Sequence, residues 1–230
     1  MARYYILFSI VIIFANSGCF RDNGPLLRED VPVEAFHKLE MKADADIYLY
    51  QDNWLGIVAE GSEESLNNLE YAYSNGQLTI RDIGKLRGDT KLYIHVPDLE
   101  RIEHDCNGQI IGQNYFSIFG EIEIISSRRG DIDMAIIADK IKVRHRSKGR
   151  IYLEGEAGEL DLKVADVGDF NGFDLYAEEV EVKISDRGNA EVHAAHSLDA
   201  RINNSGNIYY RGYPRIDLNG NGDGVLIDAN

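Results

Sequence analysis

The feature that most constrains this chain is a repeat of 18 to 20 residues in its second half. Each copy has two apolar residues separated by one position, a glycine eight residues after the first of them, and a third apolar residue two positions after that glycine. Six copies share this register. They begin at Ile122, Ile141, Leu160, Val180, Leu198 and Ile216, with glycines at Gly130, Gly149, Gly168, Gly188, Gly206 and Gly224 and third positions at Ile132, Ile151, Phe170, Ala190, Ile208 and Leu226.

Alternation of apolar and polar residues predicts strands with one buried face, and the glycine predicts a tight corner with a positive φ. One copy cannot bury its own apolar face, whereas stacked copies bury a continuous core and complete each other's backbone hydrogen bonds. An antiparallel sandwich also gives short, regularly spaced strands, but it has no reason to repeat its corner in one register. We therefore predict an all-β fold, a single-stranded parallel β-helix (β-solenoid) with turns of about 20 residues.

The first half of the chain shows the alternation less regularly, so we predict an irregular β part over residues 33–100 and regular repeats over 101–230. Residues 74–77 (Ser-Asn-Gly-Gln) are typical of a hairpin turn between two alternating stretches. Ser62 followed by two glutamates is typical of a helix N-terminus and predicts one short helix that ends near Asn68. We expect this part to cap the solenoid, because an open end is an exposed strand edge.

The N-terminus predicts export. Residues 6–15 form an apolar run broken only by Ser9, which has the proportions of a signal-peptide core and falls short of the roughly 20 residues that span a bilayer. Small residues precede Cys19, as in a bacterial lipobox, although Asn16 stands where leucine is usual. The alternative is a plain secretory peptide with an incidental cysteine.

These boundaries give a signal peptide over 1–18, a lipid-anchored tether over 19–32 that starts at a lipidated Cys19, and a β-solenoid domain over 33–230. We expect the protein in the bacterial cell envelope, anchored by its lipid to the outer membrane. With Cys19 lipidated, Cys106 is the remaining cysteine, and its two-residue spacing from His104 predicts that it packs inward.

The chain is acidic, with 24 basic and 39 acidic residues and a net charge of −15. Nucleic-acid binding depends on clustered cations that neutralise phosphates, so we expect no nucleic-acid partner. Repulsion from anionic lipid headgroups is also expected, and membrane attachment is therefore assigned to the N-terminal lipid.

Outward positions of the repeat form two predicted columns that lie next to each other, one mostly acidic and one mostly basic. One interpretation is a charged binding face that includes Lys183 and Arg201; the other, which we favour, is a solvated sheet face with exposed ion pairs that contribute little each. Tyr209 and Tyr213, near the end, could stack on sugars or anchor a protein. The columns are Glu123, Lys142, Asp161, Glu181, Asp199 and Asp217, beside Ile125, Arg144, Lys163, Lys183, Arg201 and Asn219.

Four segments resemble one known family: Phe36-His-Lys-Leu39, Gly76-Gln-Leu-Thr-Ile80, Leu92-Tyr-Ile-His-Val-Pro97-Asp-Leu99 and Ser205-Gly-Asn-Ile-Tyr-Tyr-Arg-Gly-Tyr-Pro214. They resemble the head GIN domain, auto-transporter adhesin family over about residues 33 to 228, and the last segment is the most specific. The resemblance implies an exported or lipid-anchored bacterial protein with a β-helical body. It supplies no catalytic residues.

The ending resembles an EF-hand calcium loop in the spacing of Asp217, Asn219, Asn221 and Asp223. The repeat places the first two at outward strand positions, where side chains stand roughly 6.6 Å apart, whereas calcium draws oxygens to about 2.3–2.6 Å. We therefore predict no metal and no cofactor, with a weak cation site at these four residues as the alternative.

Nucleophile-elbow, phosphate-loop and paired-cysteine motifs do not occur in the sequence, so we predict a non-catalytic envelope protein that binds or organises something at the cell surface. The first alternative is a polysaccharide-active enzyme that uses corner aspartates at positions 166, 169, 174 and 186. The second is a periplasmic partner of a regulatory or transport protein. Expected partners are the membrane, through the lipid, and an unidentified protein or glycan, with a second copy of the chain as a further option.

Overall fold

The computed structural model describes residues 25–86 and 90–230, which contain sixteen strands and one short helix joined in one coiled sheet. The elements in chain order are β1 (Leu27–Val31), β2 (Lys38–Met41), β3 (Asp46–Gln51), β4 (Gly56–Gly61), α1 (Glu63–Asn67), β5 (Leu69–Ser74), β6 (Gln77–Asp82), β7 (Lys91–Val96), β8 (Arg101–His104), β9 (Ile110–Ser126), β10 (Ile132–His145), β11 (Ile151–Val164), β12 (Phe170–Ile184), β13 (Ala190–Ile202), β14 (Ile208–Arg211), β15 (Arg215–Gly220) and β16 (Leu226–Asp228).

Strands β9 to β13 are the regular coils of the solenoid. Each is a long strand that bends midway, so that it pairs in parallel with the next coil along a first leg before the bend and a second leg after it. The predicted register is confirmed on both legs: Ile141 pairs with Ile122 and Leu160, and Ile151 pairs with Ile132 and Phe170. The parallel stack continues into β14, β15 and β16.

The core lies between the legs and is built from the inward side chains of the alternating pattern. Ile141 and Val143 on one coil and Leu160 and Leu162 on the next are fully buried. Cys106 is also buried, as predicted, and burial raises the pKa of its thiol to about 12. The last coil differs, because its inward residues Ile216 and Leu218 remain partly exposed.

The six repeat glycines do form one column, but the predicted positive φ is wrong. The positive-φ glycines of the described residues are Gly76, Gly120, Gly155, Gly212 and Gly220, none of which belongs to the column. The column needs glycine for space instead: a Cβ on any member would lie 1.8 to 2.3 Å from the carbonyl oxygen of the column member one coil below. The column also extends to a seventh member, Gly108, whose Cβ would lie 2.0 Å from the Ala45 carbonyl oxygen.

The N-terminal part stacks on the coils as predicted, but not in chain order. Strand β2 pairs in parallel with both β6 and β8, and β3 pairs with both β7 and β9. The later β6–β7 coil therefore lies outside the earlier β2–β3 coil. Antiparallel strands β4 and β1 extend the sheet beyond β7, and the predicted hairpin joins β5 to β6.

The predicted helix is α1, and the Ser62 side chain accepts a hydrogen bond from the Ser65 backbone N–H at its start. Residues 27–31, which the sequence assigned to the tether, instead form β1 on the edge strand β4. Their side chains are mostly exposed, so they lack the alternating pattern that marks the other strands. No helix in the described part of the chain has the length and apolar character to cross a membrane.

Candidate functional site

A shallow groove of about 440 Å³ runs along the bend between the two legs of β9 to β12. Its floor is formed by Ile118, Ala138 and Ala157, which pair in register on successive coils. These residues are buried, at 5 to 8% exposure. Outward side chains on both sides of this floor form the walls. We call this feature the bend groove; its walls carry Phe119, Ile137, Asp139, Glu156, Tyr176 and Glu178.

Apolar side chains are unusually exposed in the bend groove. Phe119 is 99% exposed, while Tyr176 and Ile137 are 43% and 42% exposed. The chain turns directly after Phe119, where Gly120 adopts φ +92° and its N–H donates to Asp139 Oδ2 at 3.0 Å. Because this turn is tied to the neighbouring coil, the exposed ring stands on a rigid support.

The walls also carry three exposed carboxylates, Asp139, Glu156 and Glu178. Aromatic faces bind apolar surfaces by stacking, and carboxylates accept hydrogen bonds from hydroxyl donors. A surface that combines both suits a ligand with apolar faces and many hydroxyl groups. This is the chemistry of a sugar ring.

Three of the four corner aspartates of the enzyme alternative accept structural hydrogen bonds with their side chains, and the fourth, Asp186, lies beside a neighbouring arginine. Asp169 Oδ1 accepts from the Asn189 backbone N–H at 2.9 Å, and Asn189 and Asn207 continue this ladder to the following coils. Asp174 accepts from the Tyr152 hydroxyl at 2.8 Å. Asp166 accepts from the Val167 N–H next to it, and Asp186 lies 3.7 Å from Arg187.

The predicted binding residues fall on separate surfaces. Lys183 and Arg201 are register partners on the second leg and, among the described residues, neither forms an ion pair within 4.0 Å. Tyr209 lies on the first leg beside Glu191, and Tyr213 is 91% exposed in the connection between β14 and β15. The structure therefore does not assemble these four residues into one site, and their role stays a prediction.

The predicted charge columns are present, with one well-formed ion pair at their centre. Arg144 donates to both carboxylate oxygens of Asp161, at 3.0 and 2.5 Å, and Lys163 lies 3.7 Å away. Burial would raise the pKa of Asp161, but the hydrogen bonds and charge of Arg144, together with Lys163, bring it below its ordinary value.

The calcium-like ending occupies the positions that the repeat assigns to it. Asp217 and Asn219 lie on β15, and the Asn219 amide donates to the Asp217 carboxylate at 3.0 Å. Within residues 25–86 and 90–230, no group of three or more histidine, cysteine, aspartate or glutamate side chains is placed to hold a metal ion. The predicted signal peptide and the lipidation site Cys19 lie outside the described residues.

Residues 35–214 match the family model described as "Putative auto-transporter adhesin, head GIN domain". The chain belongs to this family. The resemblance noted in the four sequence segments is thereby confirmed.

Solved structures of similar fold come from Bacteroides fragilis and Parabacteroides distasonis. The chain is 25% identical to a putative adhesin from Bacteroides fragilis, with a TM-score of 0.82 over 88% of this chain and 96% of that one. A putative lipid binding protein from Parabacteroides distasonis is 22% identical, with a TM-score of 0.73 over 90% of this chain and 98% of that one. A putative adhesin from the same species is 20% identical, with a TM-score of 0.69 over 89% and 97%. Curated proteins yielded no match.

The sequence reasoning missed the bend groove. The cause is a break in the alternation: the coils shift register at the bend, between Ala138 and Lys140 and between Ala177 and Glu179. One signal was available in the sequence, since Phe119 places an aromatic ring where the next coil has Asp139.

Proposed function

We propose that this adhesin-family member is a non-catalytic lipoprotein of the cell envelope that binds a glycan in the bend groove. The observation that supports this most is the presence in one groove of a fully exposed Phe119 on β9 and a half-exposed Tyr176 on β12, together with carboxylate acceptors. Large exposed apolar side chains at rigid positions are typical of interaction sites. Export and anchoring through Cys19 in the outer membrane would place this surface where envelope glycans occur.

The groove geometry favours an extended ligand. Its wall positions follow one another from coil to coil at the strand spacing of about 4.8 Å, which is comparable with the length of one hexose unit. Four coils contribute side chains, so the groove is long enough to contact several consecutive sugar rings. A short oligosaccharide laid along the solenoid axis would use the aromatic rings for stacking and the carboxylates for hydroxyl contacts.

A non-catalytic role is supported by the engagement of the corner carboxylates. Catalysis of sugar cleavage needs two carboxyl groups facing one bond, one of them with a shifted pKa. Asp169 holds a backbone N–H of the next coil, and Asp174 holds the hydroxyl of Tyr152. These contacts stabilise the stack, and they hold both carboxylates in hydrogen bonds with residues of neighbouring coils.

The test is a glycan array with a chain that starts at residue 20, which contains every strand of the described fold. We expect binding of a subset of glycans, and loss of at least tenfold in affinity when Phe119 and Tyr176 are both replaced by alanine, since stacked aromatic contacts of this kind contribute roughly 1 kcal/mol or more each. Tyr213→Ala is the matched control, because it removes an equally exposed ring elsewhere.

Three outcomes would overturn the proposal. Loss of binding confined to Tyr213→Ala would move the site to the end of the solenoid, and an array without any bound glycan would remove the ligand class. Hydrolysis of a bound glycan that disappears in Asp169→Asn would contradict the non-catalytic role. That substitution is clean, because Asn189 already occupies the equivalent ladder position in the next coil.

The anchor has a separate test. Full-length protein expressed in a Bacteroides host should incorporate a radiolabelled fatty acid and fractionate with the outer membrane, and Cys19→Ala should abolish the label. Label retained in Cys19→Ala, or unlabelled wild-type protein, would contradict the lipoprotein assignment.

A further inference from the structure

Five exposed cations cluster on two stacked turns of this acidic protein. The turns are those between β9 and β10 and between β10 and β11, and they lie one above the other because the Lys148 N–H donates to the Arg128 carbonyl oxygen at 2.8 Å. We call this cluster the basic turn patch; it consists of Arg128, Arg129, Arg146, Lys148 and Arg150.

The local charge of the patch opposes that of the whole chain. Arg128 pairs with Asp105 at 3.1 Å and Arg150 pairs with Asp131 at 3.0 Å. The other three cations form no ion pair within 4.0 Å among the described residues. Five cations against two carboxylates leave a net charge of +3, in a chain whose total is −15.

The patch lies on the outer side of the two turns, and Arg150 also borders a neighbouring groove together with Asp131. Arg146, Lys148 and Arg150 are exposed, while Ser147 and Gly149 between them are buried. The cations therefore stand in a row on the outer side of the turn, next to the arginines of the preceding coil at a spacing of about 4.8 Å. Such a row meets an anionic surface better than it encloses a small ion.

Charge on the neighbouring turns limits the patch to these two coils. The turn that follows the patch along the stack carries Asp166 and Asp169, and the turn that precedes the patch carries Asp105. These two coils therefore present a cationic side that faces outward, in a chain whose total charge is −15. Such an asymmetric charge distribution orients a molecule at an anionic surface even where its net charge is repelled.

We propose that the basic turn patch docks on the anionic headgroups of a lipid membrane and so orients the solenoid. Juxtaposed cations bind anionic lipids through the negative surface potential of the bilayer. The proposal goes beyond glycan binding in the bend groove and does not require the lipid anchor. It also revises the sequence expectation of simple repulsion from headgroups, which rested on the net charge alone.

The position of the patch along the stack is compatible with anchoring at Cys19. Five strand spacings separate β1 from β10, in the order β1, β4, β7, β3, β9, β10, which amounts to about 24 Å. The eight residues from Cys19 to Leu27 can span at most about 26–29 Å. A lipid on Cys19 and the patch can therefore reach the same membrane plane, with the solenoid axis lying along it.

The experiment is vesicle flotation of the chain that starts at residue 20, which lacks the anchor. We expect it to float with phosphatidylcholine vesicles that contain about one third phosphatidylglycerol and not with pure phosphatidylcholine, and to be released in about 0.5 M salt, where the Debye length falls to a few ångströms. Replacing Arg129, Arg146 and Lys148 by glutamine should weaken the association about 100-fold, since each cation near the surface contributes a factor of about five.

The matched control removes the same charge from another surface. Lys163, Lys183 and Arg201, all on the second leg, are replaced by glutamine, and association should stay within about twofold of wild type. Equal loss in both triple variants would overturn the proposal, because net charge alone would then explain it. So would flotation that ignores phosphatidylglycerol, or binding of soluble polygalacturonate or polyphosphate without any vesicle association. Circular dichroism of each variant shows whether a loss of vesicle association is due to misfolding. Vesicle flotation of the variant in which Phe119 and Tyr176 are replaced by alanine distinguishes failure of this proposal from failure of glycan binding in the bend groove.

Discussion

Replacing one glycine of the column by alanine should destabilise the solenoid strongly. Gly188 is a central member: a Cβ there would lie 2.2 Å from the Gly168 carbonyl oxygen, 2.8 Å from the Asp166 carbonyl oxygen and 2.8 Å from Val164 Cγ1. Two of these atoms are backbone, so they cannot rotate away. To reach an ordinary contact distance, the two coils must separate by about 1 Å at this turn.

The cost follows from what that separation breaks. The Gly188 N–H donates to the Asp166 carbonyl oxygen at 2.9 Å, and a further 1 Å ends this bond and weakens the one beside it. Two lost inter-coil hydrogen bonds cost about 2–3 kcal/mol, and residual overpacking costs about 1–3 kcal/mol. Alanine also lowers the conformational entropy of the unfolded chain, which offsets about 0.4–1 kcal/mol of this loss. We expect a loss of about 3–4 kcal/mol in the free energy of unfolding, equivalent to a Tm lower by about 10 °C for a domain of this size.

Urea denaturation followed by circular dichroism measures this loss, with Gly112→Ala as the matched control. Gly112 lies in the same solenoid with ordinary φ, and a Cβ there would lie 3.4 Å from Met134, which is a normal contact. The control should change the free energy of unfolding by less than about 1 kcal/mol. If Gly188→Ala costs no more than Gly112→Ala, close coil stacking is not the reason for the glycine column.

Three further predictions rest on the buried polar residues. Burial lowers the pKa of His104 and His145, so each histidine binds a proton less readily in the folded protein than in the unfolded chain, whose histidines titrate near about pH 6.5. Stability should therefore fall as the pH drops below about 6.5, with a slope of at most about 1.4 kcal/mol per pH unit for each histidine, and His145→Val should flatten that fall in urea titrations. Arg144→Gln should cost about 2–3 kcal/mol at pH 7 by leaving the Asp161 carboxylate without its main partner. The cost should decrease toward pH 3, because a carboxyl group that has lost this partner takes up a proton more readily. Adding Asp161→Asn should largely reverse the loss, and equal losses at pH 7 and pH 3 would contradict this. Cys106, whose thiol pKa burial raises to about 12, should react with a disulfide reagent only in denaturant, and rapid labelling of folded protein would show that the coil around it opens.

Several elements were predictable because their causes are local in the sequence. The alternation of apolar and polar residues set the inward and outward sides of the coils, and the Asn75-Gly76 pair set the hairpin with both residues at positive φ. Ser62 and the glutamates after it set α1. The repeat places His145 at the inward position that Val164 holds one coil later, and it is fully buried.

Other elements were not predictable, because their causes join residues that are far apart in the chain. The β6–β7 coil lies outside the β2–β3 coil because β2 and β3 each pair in parallel with two neighbouring strands. The local sequence of residues 77–96 does not indicate which edge of the sheet β6 and β7 will join. Strand β1 was assigned to the tether because its pairing with β4 uses backbone groups alone and leaves no apolar alternation.

The sequence by itself determined the repeat, its register and the positions of the six repeat glycines, since a fixed period of about 19 residues can be read without knowing the structure. Only the tertiary structure decided what the period brings together. Stacking at about 4.8 Å placed each glycine against the carbonyl oxygen of the preceding one, which changed the reason for glycine from backbone φ to space between coils. The same stacking turned Phe119 and Tyr176 into walls of one groove, and Arg129 and Lys148 into one cationic patch. These surfaces depend on contacts between residues 19 or more positions apart, so composition and net charge alone concealed them.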